Sequence, residues 1–143
     1  MTAAIPENYF LDLEFSDFDM FTEAVREWQF FLRQIDAGRF KGVVEQLKCG
    51  QTLICRGYFN RGLEQRGATP PGMRTFVVPV DPGLRLHWRG KDVSGNQIMV
   101  FPTGGELEAL SRPGFNVFTL TVSNTILSDV ITELELPELD VFR

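Results

Sequence analysis

The sequence predicts a mainly β domain, a sandwich or closed barrel of short strands with one helix before it and one after. Three observations predict this. The chain has 143 residues, 43% of them hydrophobic, enough to close a single core. It carries 13 Phe, and bulky aromatic side chains suit the pleated, half-buried surface of strands better than a helical bundle. In GNQIMVFPTGGELEALSRPGFNVFTLTV, residues 95 to 122, short apolar runs alternate with turns rich in Gly and Pro.

Each element follows from its own pattern. NYFLDLEF reads as an arm or a short strand. Ser16 with Asp19 three residues later forms a capping box, and Phe15 and Met20 stand where a hydrophobic staple would, so a helix is expected to start there. Phe18, Phe21 and Val25 recur at intervals of three and four, which makes a core-facing stripe; Glu23, Arg26 and Glu27 face water, and the helix ends near Glu27. From Trp28 the period becomes two, with Trp28, Phe30 and Leu32 opposed to Gln29 and Arg33. KGVVEQLKC and TLICRGYFN, punctuated by Gly38 and Gly50, read as a hairpin whose Leu53, Cys55 and Phe59 oppose Arg56 and Asn60.

RGLEQRGATPPG reads as a polar connection, and RTFVVPV as a strand. Pro79 in that strand cannot donate to a ladder, which predicts an edge or a bulge. In LRLHWRG, Leu84, Leu86 and Trp88 alternate with Arg85, His87 and Arg89, a half-buried strand with a cationic outer side. QIMVFP, ELEAL and NVFTLTV follow as strands at even spacing, separated by TGG and RPG. Ser123 or Asn124 can cap a last helix with Ile126, Leu127, Val130, Ile131 and Leu134 on one face, stopped by Pro137. Without repeats or linkers, residues 1 to 143 read as one domain, the barrel over about 28–122 and the helix over about 124–134.

Charge excludes one class of partner. A net charge of -5 opposes binding of a phosphate backbone, so DNA is not expected to be gripped by these residues. Cys49 and Cys55 are too few for a disulfide framework and read as buried strand thiols in a reducing compartment. No basic n-region with an apolar stretch opens the chain, and no run approaches the about 20 apolar residues of a membrane helix, so a cytoplasmic protein is expected.

Catalytic chemistry finds little support. A histidine-rich metal site is impossible with a single His, and His87 lies on the outward parity of its strand with no carboxylate at paired spacing. The two thiols sit among apolar neighbours with nothing cationic to lower their pKa. Asp12, Glu14, Asp17, Asp19 and Glu23 read as a solvated helix start, and TGG at 103–105 lacks the Lys and helix of a phosphate loop. No enzyme and no cofactor are expected. The binding reading rests on Tyr58, Phe76, Trp88 and Phe118 as aromatic walls, with Arg56 and Arg74 orienting a small ligand.

GNQIMVFPTGG stands where a cupin-type jelly roll has its second motif, a Gly, a hydrophobic strand and a Pro-x-Gly turn. DFDMFTEAVREWQFFLRQIDAGRFKGVVEQLKCG, FNRGLEQRGATPPGMRTFVVP, WRGKDV and MVFPTGGELEALSRPGFNVFTLTV together resemble the N-terminal domain of AraC/XylS-type transcriptional regulators, most of all the subgroup that includes the ethanolamine-utilisation regulator. LRLHWRG partly replaces the F-x-x-WRG order of that pattern. The resemblance implies a metal-free cupin-like jelly-roll barrel, a C-terminal helix that dimerises, and a DNA-binding half that is absent here. It makes the chain the effector-sensing and dimerisation domain of a homodimeric regulator, with Ile126, Leu127, Val130, Ile131 and Leu134 at the interface. The alternatives are a stand-alone metal-free cupin-like enzyme or small-molecule binding protein, and a filled dimerisation module without ligand.

Overall fold

The computed structural model describes residues 7–25, 28–88, 90–101 and 106–136. In chain order these form β1 (Asn8–Phe15), α1 (Phe18–Ala24), β2 (Gln29–Gln34), β3 (Gly42–Cys49), β4 (Thr52–Phe59) and β5 (Leu63–Ala68). There follow β6 (Met73–Pro79), β7 (Arg85–Trp88), β8 (Lys91–Ser94), β9 (Met99–Phe101), β10 (Glu106–Ser111), β11 (Phe115–Ser123) and α2 (Asn124–Glu133).

The strands make two antiparallel sheets, ordered β1-β3-β4-β11-β6-β9 and β2-β5-β10-β7-β8. From β4 onward the chain crosses between the sheets at nearly every step, so β4-β11-β6-β9 faces β5-β10-β7-β8. That interleaving is the double Greek key of a cupin-like jelly roll. β1 and β3 widen one sheet and β2 the other. The expected mainly β fold with two helices is what the structure has, although β1 precedes α1 and joins the six-stranded sheet.

Local chemistry explains where the elements begin and stop. The cap of α1 is Asp17 rather than Ser16: its carboxylate accepts the Asp19 N–H at 2.8 Å while its own backbone stays extended. The helix is shorter than expected, because at Val25 the backbone leaves helical values as its N–H bonds to the Phe21 carbonyl. Arg26 and Glu27 lie outside the described residues. α2 opens as expected, with the Ser123 hydroxyl accepting the Ile126 N–H at 3.1 Å; Pro137 lies outside the described residues.

Four expectations need correction. NYFLDLEF is a full eight-residue strand paired along its length with β3. The stretch read as a polar connection contains β5, an interior strand between β2 and β10. Its inward Gln65 is buried and donates to the Ser111 hydroxyl at 3.0 Å, so a polar side chain occupies the core without an orphaned donor. Pro79 marks neither an edge strand nor a bulge: it ends β6, past the residues that pair with β9. Cys49 is exposed at the end of β3, not buried.

One hydrophobic core lies between the sheets. Leu53 and Leu63 are completely buried, and the inward residues of β11, Phe115 and Val117, pack with Phe59, Val77 and Phe101. No helix among the described residues is long and apolar enough to cross a membrane.

Candidate functional site

The two sheets do not fill their interior. A cavity of about 80 Å³ lies between them, walled by β3, β4, β6, β9 and β11 on one side and β2, β5, β7 and β10 on the other. Its wall includes an unbroken chain of ring contacts. Phe115 stacks on Phe59 at 5.6 Å, Phe59 meets Phe21 edge-on at 5.7 Å, and Phe21 reaches Phe30 at 5.3 Å. Phe30 stacks on Trp28 at 5.2 Å, and Phe101 stands edge-on to Trp28 at 6.4 Å and to Trp88 at 5.2 Å. Edge-to-face and stacked rings of this kind hold one another in place, so the cavity has a fixed outline.

Gly57 explains why there is room. It lies on the inward parity of β4, and a Cβ built there would meet no atom within 4 Å. Its φ is not in the left-handed region, so the backbone does not require glycine at this position. The space in front of Gly57 is the absence of a side chain.

A few polar groups gather on the β3–β4–β11 wall. Gln46, nearly fully buried, accepts the Tyr9 hydroxyl at 3.0 Å through Oε1 and donates through Nε2 to Cys55 Sγ at 3.2 Å. Thr119, the register partner of Cys55, has a buried Oγ1 with no hydrogen-bond partner among the described residues. An unsatisfied buried hydroxyl costs about 1–3 kcal/mol, and a polar atom of a bound molecule would satisfy it. Among the described residues no carboxylate lines the cavity.

Of the residues expected to hold a ligand, Trp88 stands in the cavity wall. Arg56 borders it beside Gly57, but its guanidinium turns away, with Nε donating to Asn116 Oδ1 at 3.4 Å and Nη1 3.5 Å from Glu45 Oε1. Tyr58, Arg74, Phe76 and Phe118 alternate with the inward residues of their strands and occupy the outer face of the six-stranded sheet. Sequence reading missed Gly57, Thr119 and most of the ring wall, although it gave Trp28, Phe30 and Phe59 the correct inward parity.

The residues expected at a dimer interface are uncovered. Ile126, Val130 and Leu134 are exposed, Leu127 and Ile131 half-buried, and no residue of α2 is buried. His87 is at the surface as expected, but a carboxylate does face it: Asp92, its register partner on β8, approaches Nδ1 at 3.1 Å. The pair lines a wide groove of about 570 Å³ on the outer side of the five-stranded sheet. Among the described residues no group of three or more His, Cys, Asp or Glu stands close enough to hold a metal ion. TGG at 103–105 lies outside those residues.

No known family model matches the chain, and no curated protein does. Among solved structures, it is similar to an RmlC-like cupin from Shewanella frigidimarina, with a TM-score of 0.47 and 13% identity over 66% of this chain and 85% of that one. It is also similar to the EutQ protein of Clostridium difficile, with a TM-score of 0.31 and 11% identity over 70% of this chain and 72% of that one.

Proposed function

We propose that this chain is an effector-sensing domain of the AraC type, taking a small neutral molecule between its sheets and passing its occupancy to a DNA-binding region carried elsewhere in the protein. The observation that carries the reading is the ring-walled cavity in front of Gly57. Its size sets the ligand. A cavity of about 150 Å³ takes a benzene ring, so about 80 Å³ takes a molecule of about three to five non-hydrogen atoms. The apolar wall selects an uncharged body, and Thr119 with Gln46 selects one hydroxyl, carbonyl or amide head. At no more than about 1.5 kcal/mol per atom, binding of such a molecule is micromolar at its tightest.

Occupancy has a direct route outward. β11 lines the cavity with Phe115, Val117 and Thr119 and runs without a loop into α2, whose cap is the last residue of the strand. A ligand that binds one setting of β11 better than another shifts the helix with it, and differential affinity is the whole signal. The apolar face of α2, with Ile126, Leu127, Val130, Ile131 and Leu134, is where that shift would be read.

A thermal-shift screen of short alcohols, amides and ketones tests the reading. A binder at a hundredfold excess over its Kd is expected to add about 2.7 kcal/mol, roughly 8 °C in a chain of this size. Gly57→Val, which grows into the open space, is expected to abolish the shift while leaving the unliganded protein as stable or up to about 1 kcal/mol more so. A flat screen, or shifts that persist in Gly57→Val, would remove the cavity from the function. A basic region of about one hundred residues with two helix-turn-helix patterns, elsewhere in the same open reading frame, is the expected companion.

A further inference from the structure

The outer face of the six-stranded sheet carries an apolar row that crosses all six strands in register. Phe10 pairs with Leu47, Leu47 with Ile54, Ile54 with Leu120, Leu120 with Phe76, and Phe76 with Val100. Phe118 and Val78, themselves a register pair, lie beside it. Most of these side chains are open to solvent: Phe10 is 67% exposed and Phe118 45%, Leu47, Ile54, Leu120 and Val78 are exposed as well, and Phe76 and Val100 are half-buried. An antiparallel sheet with one solvated face alternates apolar inside with polar outside. In this sheet a continuous apolar row crosses the outer face as well.

We propose that a second copy of this chain covers this face, packing sheet against sheet. Size supports it. Five strands of seven to nine residues and the three-residue β9, spaced at about 4.8 Å, give a face about 25 Å across and about 25 Å long over all but its β9 edge, which with side-chain relief approaches the about 800 Å² per partner of a standard stable interface. Charge supports it too. The row itself holds no charged residue, and the face around it carries Asp12, Glu14 and Glu45 against Lys41, Arg56 and Arg74, with Lys41 Nζ 2.7 Å from Glu14 Oε1. Glu45 and Arg56 are already paired at 3.5 Å. A chain of net charge -5 therefore presents one nearly neutral, self-compatible face, with the charge-depleted centre and polar rim of a subunit contact. Nucleic acid would need clustered cations that this face lacks. The surface is distinct from the α2 face, and the proposal does not depend on the cavity binding anything.

Sedimentation of the purified protein at about 100 µM, where a micromolar contact is formed, tests it. The wild type is expected to sediment as a dimer or larger, and Ile54→Lys with Leu120→Lys, at the centre of the row, to halve that mass. Leu127→Asp with Ile131→Asp reports separately on α2. Tryptophan emission and melting temperature show whether the lysine variant is folded. Should it not fold, hydroxyl-radical footprinting of the wild type on dilution gives the same answer, with Phe10 and Phe118 expected to gain reactivity as the assembly dissociates. A monomeric wild type, a folded lysine variant of unchanged mass, or concentration-independent reactivity at Phe10 and Phe118 overturns the proposal. A lysine variant that dissociates yet keeps its ligand-induced thermal shift separates this contact from the sensing reading.

Discussion

Thr75 and Thr121 face each other across β6 and β11, fully buried, their hydroxyls 2.9 Å apart. Each satisfies the other, so removing one leaves an orphan. Thr75→Val or Thr121→Val alone is expected to cost about 1–3 kcal/mol, and the two together less than the sum of the singles. Urea denaturation of the three variants measures the cycle; strict additivity would mean that the two hydroxyls do not depend on each other. The same strands show why the binding residues were misplaced from sequence. In TFVV and NVFTLTV both parities carry apolar side chains, so alternation cannot say which face is inside, and a one-residue choice flips every side chain. Phe76 and Phe118, expected at the cavity, stand on the outer face. In LRLHW the opposite parity is Arg85 and His87, so the alternation is clean and Trp88 faces inward. Gly57 gave no signal at all, since a missing side chain reads as a turn or a weakness until its neighbours are known.

At the scale of elements, β2 and β5 are tied by charge as well as by their ladder. Arg33 Nη2 lies 2.6 Å from Glu64 Oε2, and Arg66 Nε 3.0 Å from Glu64 Oε1. The Arg33 hydrogen bond, helped by Arg66, holds the Glu64 carboxyl below its ordinary value despite a smaller opposing effect of desolvation. A depressed carboxylate contributes stability above the unfolded-state pKa and loses it as pH falls through the folded-state pKa. The stability difference between wild type and Glu64→Gln is therefore expected to shrink as pH is lowered through the carboxylate range. Denaturant titrations across that range check it, and a pH-independent difference would contradict it.

The elements also differed in legibility for physical reasons. The β3–β4 hairpin and α2 carry clean periodicity and their own turn or cap, and both were readable. β5 was not, because its inward face offers Leu63, Gln65 and Gly67, a single large apolar residue whose strand exists through its neighbours. α1 was placed one residue early, since Ser16 and Asp17 are both good caps and only the geometry chooses between them.

On the scale of the molecule, mainly β architecture follows from the rhythm of turns, but the jelly-roll order depends on which strands pair, and pairing is non-local. That order gives β4 and β11 a double role. Cys55, Gly57, Val117 and Thr119 face the cavity, while Ile54, Phe118 and Leu120 face outward on the apolar row. Anything that shifts these strands from inside is felt on the outside and at α2, one residue beyond β11. Under the proposed function, this double role of β4 and β11 is what would carry occupancy of the cavity to the outer face and to α2.

The chain's two tryptophans, Trp28 and Trp88, both line the cavity, so tryptophan emission reports on that space directly. Titration of that emission with a small neutral alcohol or amide, in wild type and in Gly57→Val, is the most direct test of the central claim. The account predicts a saturable change in the wild type that the valine abolishes. Emission that never saturates, or that responds identically in both proteins, would contradict it.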